Sequence, residues 1–178
     1  MIDKKIIEEN IIVQHKISSL DSVLHLGVGY KNGIVLDSFC EYWDITDSEL
    51  DTFTGVDVDN FKINELSNKF TSSDFWNKSM QEFLDNLPTQ ETSYDWCILT
   101  GVFNEYLYGV MQHDFMLYTI NRCLEISKNG VIFTFKENLT DEFKYNPIFI
   151  FSSLITTYSK VFVQKIEDDN NYIFSILK

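Results

Sequence analysis

Residues 22–33, SVLHLGVGYKNG, decide how the chain is read. An apolar run (Val23, Leu24 and Leu26 around His25) stops at Gly27-Val28-Gly29, and a helix-like periodicity starts after Gly33. That is a strand, a glycine turn and a helix start. Glycine has no Cβ, so a ligand can approach the backbone there, and the free N–H groups of the helix start face it. A lone G-x-G is weak by itself, because any tight turn can require glycine. The next strand, Phe53–Val58, strengthens it by ending on Asp57. In an open α/β sheet, a glycine turn beside a strand-end acid forms the ligand cleft.

The pattern extends outward on both sides. Ile6, Ile7, Ile11, Ile12 and Ile17 recur near helical spacing, which predicts an amphipathic N-terminal helix over residues 3–19. Ile34, Val35, Phe39 and Trp43 predict a second helix, and the polar stretch 44–51 connects it to Phe53–Val58. Asn60 reads as the N-cap of a helix carrying Phe61, Ile63, Leu66 and Phe70; Asp59 is an alternative cap. A short strand is expected near Phe75–Lys78, a helical turn over Gln81–Leu87 and a loop from Pro88 to Ser93. Strand four, Tyr94–Thr100, stops at Gly101. A long helix follows over His113–Ser127 with Phe115, Leu117, Tyr118 and Ile120 inward, stopped by Asn129-Gly130. Then come a strand over Val131–Phe135, a helix over Tyr145–Tyr158 that begins near Pro147, and two β-rich runs, Lys160–Ile166 and Tyr172–Leu177. The polar EDDNN turn between those runs predicts an antiparallel hairpin. Alternating strands and helices give a doubly wound α/β domain over residues 1–178, mostly parallel, seven-stranded, with a C-terminal antiparallel hairpin.

Composition narrows the function classes. Of 178 residues, 44% are hydrophobic, enough for one well-filled core. Twenty-seven acidic against 14 basic residues give a net charge of −13, and Arg122 is the only arginine. Such a surface repels phosphate backbones and disfavours nucleic acid as a substrate. Cys40, Cys97 and Cys123 are too far apart for a zinc site and odd in number, as expected of free thiols in a reducing cytoplasm. The first residues mix charges into their apolar run, unlike a signal peptide, and no apolar run approaches a membrane span. Alanine is absent, and Asn, Lys, Ile and Phe abound. An AT-rich coding genome, a viral one among the candidates, accounts for that bias, and the base composition of the gene decides it.

Several segments resemble the class I S-adenosylmethionine-dependent methyltransferases, a Rossmann-like family, from about Ser22 to the C-terminus. SVLHLGVGY resembles the family's first motif, a strand leading into G-x-G-x-G. FTGVDVDN resembles the second, in which the strand-end acid holds the ribose hydroxyls. YDWCILTGVFN resembles the fourth-strand motif, and its TGVFN is similar to the SGIFN of a small-methyltransferase subgroup. INRCLEISKNGVIFTF and NNYIFSILK resemble the strand-five region and the last strand. The resemblance implies S-adenosylmethionine as cofactor, bound by His25, Gly27, Val28, Gly29, Asp57, Val58, Ser79, Met80, Thr100, Gly101 and Val102. It implies methyl transfer by in-line displacement to a small-molecule or protein acceptor, with no metal. Asn104 and His113 are the catalytic candidates, against plainer readings of Asn104 as a turn residue and of His113-Asp114 as a helix start. Phe103, Tyr106, Tyr108 and Phe115 could shape an acceptor pocket or simply fill the core.

Two positions depart from the family pattern. The acid two residues before the first glycine is replaced by His25, and the third glycine by Lys31. Both changes remove negative charge or add positive charge near a sulfonium, so a non-catalytic binding or structural subunit with an eroded cofactor site is the second reading. A nicotinamide enzyme is a third. It would use the same two elements, but it wants glycine where Asn32 stands.

Overall fold

A computed structural model of the chain describes residues 3–87, 94–103, 110–136, 147–166 and 170–178. Its centre is a seven-stranded sheet in the order β3-β2-β1-β4-β5-β7-β6. The strands are β1 (Val23–Leu26), β2 (Phe53–Asp57), β3 (Asp74–Asn77), β4 (Tyr94–Leu99), β5 (Ser127–Lys136), β6 (Val161–Ile166) and β7 (Asn171–Leu177). The first five run parallel, and β7 lies antiparallel between β5 and β6. The doubly wound fold with its C-terminal antiparallel hairpin is therefore as the sequence predicts. The chain order reverses at β1, which pairs with β2 on one side and β4 on the other, Leu26 lying level with both Val56 and Leu99. Ligands of open sheets sit beyond the strand ends at such a reversal.

The central strands are apolar on both faces because helices cover both. On one face Leu24, Leu26, Cys97, Leu99, Val131 and Phe133 meet Leu84 of α4 (Met80–Asp85), Met116, Ile120 and Cys123 of α5 (Val110–Ile126), and Ile150 and Leu154 of α6 (Pro147–Thr157). Phe133 stacks on its cross-strand neighbour Phe174, ring centres 5.0 Å apart and planes 4° from parallel. On the other face Val23, Trp96, Ile98, Ile132 and Ile173 meet the N-terminal helix, α2 (Ile34–Trp43) and α3 (Asn60–Lys69). The N-terminal helix starts as α1 (Lys4–Ile7), capped by the Asp3 carboxylate, and continues as a wider π-type stretch over Glu8–Val13 that keeps Ile7, Ile11 and Ile12 buried.

Phe61, expected in the apolar stripe of α3, is 69% exposed, and local expectations needed four further corrections. Asp59, not Asn60, caps α3: its carboxylate accepts from the N–H groups of Phe61 and Lys62 at 3.0 and 3.2 Å, and Asn60 is the first helical residue. Asn129-Gly130 does not stop α5, which ends at Ile126; both lie inside β5. Gly130 is needed for close approach, since a Cβ there would stand 2.3 Å from the Ile176 carbonyl oxygen of the neighbouring strand. The inward side of α5 is Met116, Ile120, Cys123 and Ile126, whereas Phe115, Leu117 and Tyr118 are only half-buried. The Tyr118 hydroxyl instead donates to the Asp85 carboxylate. Finally, His113 and Asp114 lie within α5 and not at its cap. The loop expected at 88–93 and residues 167–169 of the hairpin turn lie outside the described residues.

Candidate functional site

The site grows out of the end of β1. The Gly27 and Val28 N–H groups both donate to the Val56 carbonyl, at 2.9 and 3.2 Å, carrying the turn over the end of β2. Gly27 is left-handed (φ 79°), and a Cβ on it would lie 2.6 Å from the Thr100 carbonyl oxygen and 2.8 Å from a Val102 methyl. No other residue fits there without strain. The chain then makes one 3₁₀ turn, Tyr30–Asn32, in which Lys31 and Asn32 are also left-handed, before Gly33 leads into α2. The departure from the expected glycine spacing is thus absorbed by an extra tight turn between the strand and its helix.

Gly29 needs glycine for a different reason. Its backbone is ordinary (φ −66°), but a Cβ would stand 2.8 Å from Asp57 Oδ2 and 2.8 Å from Lys62 Cδ. The Asp57 carboxylate spans the space between turn and helix: Oδ2 accepts from the Gly29 N–H and Oδ1 from the Asp59 N–H, each at 2.9 Å. The carboxylate that sequence reasoning pairs with the turn is therefore bonded to it. Beside it Val58 is 69% exposed. Asn77, level with Asp57 on β3, donates its amide to the carbonyls of Asp57 and Val58 at 3.2 and 2.9 Å. Ser79 is the N-cap of α4, its hydroxyl accepting from the Glu82 N–H at 3.1 Å, and Met80 is half-buried against the core.

The other wall is the end of β4. The Thr100 N–H donates to the Leu26 carbonyl at 3.2 Å, and the left-handed Gly101 donates its N–H to the Thr134 hydroxyl at 3.0 Å. Val102 is half-buried over the glycine turn, and Phe103 is buried edge-on against Phe133, ring centres 5.5 Å apart, as core packing.

His25 lies entirely out of solvent beneath this wall. Its Nε2 is 2.7 Å from the Thr100 hydroxyl, its ring is edge-on to Phe53, and its Nδ1 is buried with no partner. Burial pushes its pKa down to about 3, so the ring is neutral near pH 7. It adds no positive charge to the cleft, and it supplies no negative charge where the family pattern has an acid.

The structure thus gathers His25, Gly27, Val28, Gly29, Asp57, Val58, Thr100, Gly101 and Val102 around the ends of β1, β2 and β4, with Ser79 and Met80 beyond the end of β3. Asn104, Tyr106, Tyr108 and the His113 side chain lie outside the described residues. Among the described residues no cluster of His, Cys, Asp and Glu could hold a metal ion. Sequence reasoning missed Lys62, Asn77 and Thr134. Asn77 becomes visible only once β3 is paired with β2, and Thr134 only once β5 is paired with β4.

No family model and no curated protein matches the sequence. Solved structures do. The methyltransferase domain of bacterial CtHen1 aligns with 99% of this chain and 100% of its own at 13% identity, TM-score 0.68. Magnesium protoporphyrin IX methyltransferase (ChlM) from Synechocystis PCC 6803, solved with bound S-adenosylhomocysteine (SAH), aligns with 98% of this chain and 82% of its own at 12% identity, TM-score 0.66. A TehB-like S-adenosylmethionine (SAM)-dependent methyltransferase from Corynebacterium glutamicum aligns with 94% and 85% at 12% identity, TM-score 0.59. The chain has the class I methyltransferase fold.

Proposed function

We propose that the cleft at the ends of β1, β2 and β4 binds S-adenosylmethionine and that the chain transfers its methyl group to a small-molecule or protein acceptor. The observation that carries this reading is the Asp57 carboxylate bonded at 2.9 Å to the Gly29 N–H, at the reversal of a sheet that places β7 antiparallel between β5 and β6. The residues fit the cofactor. Asp57 offers its carboxylate to the ribose hydroxyls, and the bare Cα of Gly29 leaves room beside it. Val58, Ser79 and Met80 would flank the base, and the backbone from Gly27 to Gly29 with Thr100, Gly101 and Val102 would line the amino-acid end. The cofactor supplies an electrophilic methyl group. The chain's own part is to bind, orient and exclude water, which is the larger share of such a reaction.

The sheet order also bears on the nicotinamide alternative. Dinucleotide-binding sheets of the order 3-2-1-4-5-6 lack a strand inserted between the fifth and the sixth, and Asn32 stands where their last glycine belongs. The non-catalytic reading draws on His25, since a neutral ring at the acid position gives the cationic cofactor nothing to attract it.

Calorimetric titration with S-adenosylmethionine and S-adenosylhomocysteine tests the proposal. Saturable binding is expected, lost in Asp57→Ala and weakened at least about tenfold in Gly29→Ala, whose added methyl meets the Asp57 carboxylate without straining the backbone. Absence of heat with both compounds would remove the reading. Binding without methyl transfer to any acceptor would leave the non-catalytic one.

A further inference from the structure

Asp57 is not the only charged side chain beside the glycine turn. Lys62 sits in the first turn of α3, its N–H held at 3.2 Å by the capping carboxylate of Asp59. From there its aliphatic stem lies across Gly29. Lys62 Cδ and Asp57 Oδ2 are each 2.8 Å from the point where a Gly29 Cβ would be, so they are no more than twice 2.8 Å apart. The residue is half-buried, with its stem packed against Gly29. Among the described residues its ammonium has neither a hydrogen bond nor an ion pair. The Asp57 carboxylate, in contrast, already receives a backbone N–H on each oxygen. The floor of the cleft therefore sets the Asp57 carboxylate beside the Lys62 side chain, and the neutral His25 adds no further anion.

We infer that Lys62 sets the charge selectivity of the cleft, disfavouring the sulfonium cation of S-adenosylmethionine relative to neutral S-adenosylhomocysteine. The inference rests on the cofactor reading above. The two ligands differ by one methyl group and one positive charge. A nearby ammonium repels the first and is indifferent to the second, whereas packing against the stem affects both alike.

The test is the ratio of the two dissociation constants, measured calorimetrically in the wild type, in Lys62→Met and in Lys62→Arg. Methionine keeps the length and apolar contact of the stem without the charge, and arginine keeps the charge. The ratio of the S-adenosylmethionine constant to the S-adenosylhomocysteine constant should fall about three- to tenfold in Lys62→Met, as expected for removal of one nearby charge at intermediate dielectric. It should stay at the wild-type value in Lys62→Arg, and the methionine effect should shrink in about 0.5 M salt. Binding of both ligands with an unchanged ratio in Lys62→Met would overturn the inference, as would an arginine variant that shifts the ratio as far as methionine does. If neither ligand binds the wild type or Lys62→Met, the cofactor reading fails and the inference fails with it.

Discussion

At the scale of single residues, His25 shows how a substitution that looks damaging in sequence is contained in structure. The charge of a histidinium beside a sulfonium would be costly, but full burial keeps the ring neutral, with a pKa near 3. The same burial makes stability depend on pH. An unfolded chain protonates His25 near its ordinary value of about 6.5, while the folded chain does not protonate it until about pH 3. Between those values the unfolded state binds the extra proton, so stability is full above about 6.5 and falls as the pH drops, by up to about 1.4 kcal/mol per pH unit. His15, whose pKa is also lowered by burial, acts in the same direction. Chemical denaturation at pH 7, 6 and 5 checks this. The unfolding midpoint of the wild type should fall more steeply than that of His25→Leu, in which the titrating ring and its unpartnered Nδ1 are both gone. Parallel pH profiles would show that the ring is not the proton acceptor.

At the scale of elements, the α3 start joins stability to the site. The Asp59 side chain holds the N–H groups of Phe61 and Lys62, the second and third residues of α3, and the Asp59 backbone N–H is one of the two donors on Asp57. Asp59→Ala should lower the unfolding free energy by about 1 kcal/mol, the usual worth of such a cap, with an unchanged denaturant slope. A change below about 0.3 kcal/mol would mean that another group takes over the cap. This element also marks the limit of what is legible in the sequence. The helix, its apolar stripe of Ile63 and Leu66, and the acid at the end of β2 follow from local pattern alone. The choice between Asp59 and Asn60 as cap does not, because both residues cap well and only the backbone decides. The doubly wound sheet with its C-terminal hairpin is readable because each β-α repeat is local and crossovers have one hand. Gly130 misleads for the opposite reason: a glycine demanded by the close approach of β7 is indistinguishable in sequence from a helix stop. Lys62 is the same kind of omission, since its relation to Gly29 exists only after the turn and α3 pack together.

At the scale of the whole molecule, the net charge of −13 opposes compaction, and little in the surface relieves it. The described ion pairs, among them Lys69 with Asp37 at 2.5 Å and Lys128 with Asp95 at 2.9 Å, involve largely exposed lysines, and each contributes little. With 27 acidic and 14 basic residues, at least 13 carboxylates have no cation of their own to pair with, so unpaired repulsion outweighs local attraction. Salt weakens both terms, but unequally. The repulsion acts over distances comparable to the ~30 Å screening length at 0.01 M and is mostly lost at the ~8 Å of 0.15 M, whereas a contact pair is screened only partly. Raising sodium chloride from about 0.01 to about 0.3 M should therefore stabilise the protein, by about 1 kcal/mol, or about 3 °C in the melting midpoint for a chain of this size. Sodium chloride is the right probe because sulfate would also strengthen apolar burial and blur the result. A midpoint that falls with added chloride would mean that the contact pairs dominate, and the acidic surface would then have to be understood as a set of local bridges instead of a repulsive shell.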